Sequence, residues 1–189
     1  MPRRRYIFDP PERFVAGTIG EPGDRAFFLQ AREGQRVVSV ALEKVQVSVL
    51  AERLWELLAE LERRGVPEES ADASEDVPVR DDEPLDEPLN EAFRAGSLTL
   101  GWDVGAERVL LEARGLDEDG DPIDPEDDDD SDEDGPDLLR VRLTAGAARS
   151  FVERANRVVA GGRSPCPLCG QPLDPQGHIC ARRNGHYLN

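Results

Sequence analysis

The first 165 residues of this 189-residue chain contain neither cysteine nor histidine. That part of the chain cannot form disulfide bonds, and it lacks two of the side chains that most often serve as nucleophile or general base. Aromatic residues make up only 5% of the chain and are not interleaved with arginines, which argues against a surface that stacks nucleic-acid bases. No apolar run is long enough to cross a bilayer, and the N-terminal residues lack the apolar stretch of a signal peptide. We therefore expect a cytoplasmic protein that does not enter a membrane.

All three cysteines and both histidines lie between Cys166 and His186. Zinc takes four nitrogen or sulfur ligands in a tetrahedron, and a Cys-x2-Cys turn supplies two of them, here Cys166 and Cys169. Cys180 is the third candidate ligand. His178 and His186 compete for the fourth position, and we favour His178 because it lies only two positions before Cys180. The segment is thus predicted to be a zinc ribbon or knuckle.

The predicted zinc is structural. A catalytic zinc needs an open coordination position, whereas four candidate ligands are available in a segment too short to build a pocket. Metal binding would supply most of the folding energy of such a segment. A redox-active Cys-x-x-Cys pair would need a strand-to-helix junction, and here prolines flank the pair. A disulfide would leave one cysteine unpaired.

The net charge of −17 comes from two acidic segments. Residues 67–92 hold eleven acidic residues and one basic residue, and residues 117–137 hold fourteen acidic residues and no basic one. The rest of the chain holds 22 basic and 15 acidic residues. The composition of both segments predicts disorder, because like charges repel and large apolar residues are scarce. The chain is therefore predicted to be a mildly basic body with two acidic segments.

The body repeats itself. The stretch from Val40 to Leu58 aligns without gaps on Val141–Val159. Two blocks upstream of each stretch also match between the halves, and they occur in the same order in both. The alignment pairs Arg53 with Arg154, and ordinary surface ion pairs explain both arginines at least as well as ligand binding does. We expect Trp55 and Trp102 to belong to the core.

Each repeat reads as three strands followed by one helix, so the sequence predicts an α+β fold of two βββα units related by a pseudo-twofold axis. The first unit has predicted strands at 13–20, 25–32 and 36–42 and a helix at 47–64. The second has strands at 97–104, 107–114 and 138–143 and a helix from Thr144, its N-cap, to about residue 160. The predicted division of the chain is a first unit at 1–66, an acidic linker at 67–92, a second unit at 93–162 with the insertion 117–137, and a zinc-binding tail at 163–189.

The chain resembles an actinobacterial family catalogued as domain of unknown function 3090. The resemblance lies in the opening from Phe8 to Gly17, in the Leu42-Glu-Lys-Val-Gln stretch and in the tail from Cys166 to Gly185. In that family a tyrosine often occupies the position of His186, which implies His178 as the fourth ligand. The family carries no established activity, so the resemblance implies an architecture only.

Two functions agree with the sequence. The first, which we favour, is a non-catalytic adaptor that contacts a protein partner or, through Arg163, Arg182 and Arg183 beside the metal site, nucleic-acid phosphates. The second is an enzyme acting on a phosphorylated or anionic small molecule held between the two units. Against the second function, the sequence has no P-loop, no G-x-S-x-G, no H-E-x-x-H and no dinucleotide fingerprint.

Overall fold

A computed structural model describes residues 2–66, 80–124, 133–162 and 167–168 of the chain. These residues form a mixed α+β fold of seven strands and two α-helices. The elements in chain order are β1 (Arg5–Phe8), β2 (Arg13–Ile19), β3 (Ala26–Glu33), β4 (Arg36–Leu42), α1 (Lys44–Arg63), β5 (Glu91–Asp103), β6 (Arg108–Gly115), β7 (Leu138–Leu143) and α2 (Ala145–Ala160).

The seven strands form one sheet in the order β1-β7-β6-β5-β4-β3-β2. Strands β2, β3 and β4 are an antiparallel meander that leads into α1, and β5, β6 and β7 are a second meander that leads into α2. The start of β5 joins the two meanders by pairing in parallel with β4. Strand β1 pairs in parallel with β7 at the far end.

Strand β5 changes partners along its 13 residues. Its first residues pair with β4 as far as Arg94, and from Ala95 onward it pairs with β6. A register shift between Ala95 and Ser97 marks the change, as a β-bulge does where a strand bends. The β4-facing edge of residues 96–103 consequently pairs with no strand among the described residues.

The connection between β1 and β2 requires the sheet to curl. These strands lie at opposite ends of the sheet, a distance of about 29 Å if the sheet were flat. Only residues 9–12 connect them, and such a short segment spans at most about 18 Å. A contact across the sheet agrees with this curl: Arg36 of β4, four places from β1 in the strand order, donates to the carbonyl of Ile7 at 3.1 Å and lies 4.6 Å above the ring of Phe8.

Both helices pack with the strands in one hydrophobic core. Strand residues enter it at alternate positions, as strand geometry requires, for example Leu29 and Ala31 of β3 and Leu111 of β6. On α1 the buried residues follow helical spacing: Val47, Leu50, Ala51, Leu54, Leu58 and Leu61. Phe151 of α2 stacks on Phe14 of β2 with ring centroids 4.9 Å apart, which fixes α2 against the end of the sheet.

The six predicted strands and two predicted helices are confirmed at close to their predicted bounds. Thr144 is the N-cap of α2, with its hydroxyl accepting from the amide of Ala147 at 3.1 Å. Helix α1 begins three residues earlier than predicted because Glu43 and Gln46 form a capping box there. The sequence analysis missed β1 and the first residues of β5.

The prediction for the two tryptophans is half right. Trp102 packs against the core, as expected. Trp55 is 55% exposed, so its assignment to the core is wrong. Its neighbour Leu54 takes the core position on α1, which turns Trp55 toward solvent. No helix among the described residues is both long enough and apolar enough to span a bilayer.

Candidate functional site

The predicted metal site lies outside the described residues. This holds for every residue assigned to it or beside it: Cys166, Cys169, His178, Cys180, the alternative ligand His186, and Arg163, Arg182 and Arg183. Within the described ranges, no group of three or more His, Cys, Asp or Glu side chains could hold a metal ion. Among the described residues, three features are candidate sites: a cluster of arginines and aspartates that we call the clamp, a groove beside α1, and a cavity lined by basic residues.

Residues 80–90, which we call the strap, cross the face of the first meander that is opposite the core. The prediction of a disordered acidic linker over residues 67–92 included this segment, yet the strap makes specific contacts. Leu85 of the strap lies against Gly17 of β2, so closely that a Cβ at Gly17 would come within 2.5 Å of the Leu85 Cδ2 atom. Glycine at this position therefore lets the strap lie directly on the sheet.

Asp81 of the strap binds two arginines. Its carboxylate accepts from Arg13 of β2 at 2.7 and 3.0 Å and from Arg154 of α2 at 2.7 Å. Hydrogen bonding from Arg13 is the main reason that the pKa of Asp81 lies below its usual value, and the charge of Arg154 adds to the effect against the opposing effect of burial. Burial lowers the pKa of Arg154, although a guanidinium stays protonated at any physiological pH.

Arg154 also binds the main chain of the strap. Its side chain donates to the carbonyls of Asp81 at 2.7 Å and Glu83 at 2.6 Å, and to the carbonyl of Ala16 in β2 at 2.8 Å. The residue is only 7% exposed. Arg154 thus joins α2, β2 and the strap in a single hydrogen-bonded unit.

Asp86 continues the clamp toward β3. Gln30 exchanges two hydrogen bonds with the main chain of Asp86, at 2.7 and 3.0 Å. The Asp86 carboxylate accepts from Arg13 and Arg32, both at 2.9 Å. The carboxylates of Asp81 and Asp86 are therefore each engaged by two arginines, and the cluster is a structural clamp.

A second buried charged cluster lies on the second meander. Glu112 of β6 is 6% exposed and accepts from Arg114 at 2.8 Å, and it also pairs with Arg140 of β7. The sequence alignment places Glu112 opposite Gln30, so both halves bury a polar side chain at this position. Neither Glu112 nor Gln30 was predicted to be a buried polar residue. Both alternate with core residues along their strands, and that alternation is the sequence signal that could have indicated their burial.

A groove lies between α1 and the unpaired edge of β5, and we call it the α1–β5 groove. It has a volume of about 310 Å³ and is lined by Val49, Leu50, Arg53, Leu57, Leu98 and Leu100. Val49 is 47% exposed, and Val45, one turn earlier on the same face of α1, is 65% exposed. The groove therefore presents apolar surface to solvent along one helix and one strand edge.

Arg53 stands at the rim of this groove and differs from its aligned counterpart. Its side chain is 68% exposed and pairs with Glu56 one turn along the helix, at 3.0 Å. The prediction of a surface ion pair is confirmed for Arg53. It is wrong for Arg154, because the strap and α2 cover that side chain.

The comparisons with known proteins give a family and no solved relative. No curated protein and no solved structure matches the chain. A family model matches residues 6–180, which is nearly the whole chain. The chain therefore belongs to the family described as Protein of unknown function (DUF3090).

Proposed function

We propose that this protein is a non-catalytic interaction protein that binds an extended segment of a partner protein in the α1–β5 groove. The observation that carries the proposal is the contrast between Arg154, which holds the chain's own strap, and Arg53, the aligned arginine, which faces solvent beside an apolar groove.

An internal duplication relates Arg53 to Arg154, and features of the fold support it beyond the sequence repeat. Each half is a three-stranded meander followed by a helix, and the residue before each helix is its N-cap. A short segment pairs in parallel with the last strand of each meander: the start of β5 with β4, and β1 with β7. The two halves thus share strand order, helix position and a parallel pairing at the last strand.

Burial along the two helices agrees with the same alignment. Four aligned pairs are buried in both helices: Val47 with Ala148, Leu50 with Phe151, Ala51 with Val152, and Leu54 with Ala155. The aligned arginines break the agreement, because Arg154 is buried and Arg53 is exposed. The strap accounts for this difference in burial, because it covers Arg154 on α2 and does not cover Arg53 on α1.

The chemistry of the strap suggests the chemistry of the partner. Arg154 binds two main-chain carbonyls and one carboxylate of an extended segment. Arg53 offers the same donors, and Leu98 and Leu100 offer an apolar wall. The unpaired edge of β5 can also exchange main-chain hydrogen bonds with an added strand. We therefore expect an extended partner segment with an acidic residue for Arg53 and an apolar residue for the groove.

The zinc-binding tail completes the proposal. Cys166, Cys169, His178 and Cys180 would hold one structural zinc ion and fold the tail around it. Arg163, Arg182 and Arg183, which flank the metal ligands in the sequence, would then provide basic groups suited to further acidic residues of a protein partner. We place this interaction in the cytoplasm.

The enzymatic alternative finds less support in the described residues. The carboxyl groups with a displaced pKa there have it lowered: Asp81 chiefly by hydrogen bonding from Arg13, Asp103 chiefly by the amide of Ala106, and Glu60 chiefly by hydrogen bonding from Arg64. A general base at neutral pH needs a pKa near 7, so these shifts go in the wrong direction. The lowered values agree with carboxylates that hold the fold together.

A displayed library of random peptides tests the proposed groove. The wild-type protein should select peptides that combine an acidic residue with a large apolar residue. Binding of these peptides should fall about tenfold or more in Arg53→Glu and in Val49→Asp, which change the rim and the wall of the groove. Arg63→Glu is the matched control, because it makes the same charge change on the exposed side of α1 outside the groove.

The library experiment has two outcomes that contradict the proposal. One is the failure of any peptide family to be enriched on the folded wild-type protein. The other is the selection of peptides whose binding is unchanged in Arg53→Glu and Val49→Asp. Both substituted side chains are exposed, so loss of folding should not confuse the result.

A further inference from the structure

A cationic cavity lies where the last turn of α2 meets the start of α1 and the start of β3. Its volume is about 500 Å³, and Arg25, Phe27, Lys44, Val159 and Ala160 are among its lining residues. Both charged residues of the described lining are basic. We infer that Arg25 and Lys44 bind a small dianion at this place, with a phosphate group as the chemical class that fits.

Arg25 has unused hydrogen-bonding capacity. Its Nε atom is buried and has no hydrogen-bond partner among the described residues. A buried donor without a partner is costly, so proteins seldom leave one unless a ligand or water completes it. The same side chain also lines two neighbouring cavities. One of them contains the carboxylates of Asp24, Glu43 and Glu91, of which Glu43 is engaged by Arg94 at 2.7 Å.

Lys44 brings a second positive charge to the cavity. It is the first residue of α1, where the helix dipole disfavours a cation, and the described residues provide no carboxylate that pairs with it. Its Nζ atom lies 3.7 Å from the position that a Cβ on Gly162 would occupy, so it reaches across to the end of α2. A bound anion between Lys44 and Arg25 would offset their mutual repulsion and the unfavourable position at the helix start.

The end of α2 explains part of this arrangement. The last turn of a helix carries partial negative charge, which attracts cations such as Arg25 and Lys44. The described carbonyls of that turn nevertheless accept no hydrogen bond from Arg25. The amide of Gly161 closes the turn by donating to the carbonyl of Arg157 at 2.8 Å. The donors of Arg25 therefore remain available to a ligand.

Volume and charge together define the ligand class. The cavity is in the size range of small-molecule sites, and the apolar side chains of Phe27 and Val159 can contact an organic group attached to the anion. An adjoining cavity adds Arg80 and Arg157, and its carboxylates are engaged: Asp81 by Arg154 and Asp82 by Arg157 at 3.3 Å. The two basic residues of the cavity itself thus favour a doubly charged phosphate ester over a neutral or cationic molecule.

Calorimetric titration of the full-length protein with inorganic phosphate tests the inference, with pyrophosphate as a second probe. We expect one saturable site, weakened about fivefold or more by Lys44→Gln and by Arg25→Gln, because each removes one charge-assisted contact. Arg63→Gln is the matched control, since it removes the same charge from an exposed place outside both the cavity and the α1–β5 groove. Lys44 is exposed, so Lys44→Gln should fold normally even if Arg25→Gln does not.

Two results would overturn the dianion site. Either phosphate and pyrophosphate both fail to bind saturably, or the control variant weakens binding as much as Lys44→Gln does. Neither substitution lies in the α1–β5 groove, so failure here leaves the partner-binding proposal standing, and the reverse also holds.

Discussion

Replacing each of the two aligned arginines by methionine should destabilise the protein very unequally. Methionine keeps much of the length and apolar surface of arginine while it removes all five donors. In Arg154→Met, the oxygens of Ala16, Asp81 and Glu83 lose a buried donor. In Arg53→Met, one solvent-exposed pair with Glu56 is lost. The two variants therefore change the same atoms in opposite environments.

The expected magnitudes follow from burial. Removing one partner of a buried charged pair costs about 3–5 kcal/mol, and because Arg13 still holds Asp81 we expect about 3 kcal/mol for Arg154→Met. An exposed pair one turn apart on a helix contributes roughly 0.3–0.5 kcal/mol, which sets the loss for Arg53→Met. A typical domain is stable by about 5–15 kcal/mol, so Arg154→Met should still fold.

Urea unfolding followed by the fluorescence of Trp55 and Trp102 measures both losses at neutral pH. Proteolysis adds a local readout, because release of the strap in Arg154→Met should expose the Leu85–Asp86 bond to a protease that cleaves before aspartate. Equal losses of stability in the two variants would refute the reasoning. So would an intact strap in Arg154→Met.

Two further predictions concern charge and metal. Because Arg13 and Arg154 lower the pKa of Asp81 in the folded state, the stability that Asp81 contributes is present above its usual pKa of 3.8 and is lost as the pH falls through the lower folded value. The difference in unfolding free energy between the wild type and Asp81→Asn should accordingly be full at pH 7 and shrink below about pH 4, and a difference that grows on acidification would contradict this assignment. Purified wild-type protein should contain about one zinc per chain by elemental analysis, and Cys166→Ser should lose it while circular dichroism still reports the α+β body. Full zinc occupancy in Cys166→Ser would show that the ligand set is wrong.

Local patterns were enough to predict most of the fold. Alternating apolar residues such as Phe27, Leu29 and Ala31 indicate a strand with one buried face, and leucines at helical spacing indicate α1. Thr144 identified the start of α2, because a hydroxyl at that position can cap the helix. These signals depend only on residues near each other in the sequence, so they can be recognised without knowledge of the tertiary structure.

The missed elements depend on distant partners. Strand β1 has four residues, and its only strand partner among the described residues is β7, more than 130 positions away, so nothing nearby in the sequence indicates it. The strap reads as a disordered acidic segment by composition. It is held because Arg13, Arg32 and Arg154 converge on two of its carboxylates. The sequence alone could not bring those arginines together.

The candidate groove was missed for a related reason. The alignment of Arg53 with Arg154 was visible in the sequence, but the difference in their burial depends on where the strap lies. An acidic segment with leucines beside a repeated basic body is the pattern that could have raised the question. Burial then distinguishes an arginine that is already occupied from one that is available.

Site-specific photocrosslinking in the native host tests whether the α1–β5 groove binds a segment of a partner protein. A photoreactive amino acid that replaces Val49 lies in the α1–β5 groove. One that replaces Val104 lies outside the groove, on the turn after β5, where Val104 is 78% exposed. We expect a discrete crosslink from position 49 to an extended, acid-containing segment of one protein. This crosslink should be lost when Arg53→Glu is added, and position 104 should give no such crosslink. The same products from both positions, or a crosslink at 49 that persists in Arg53→Glu, would contradict it.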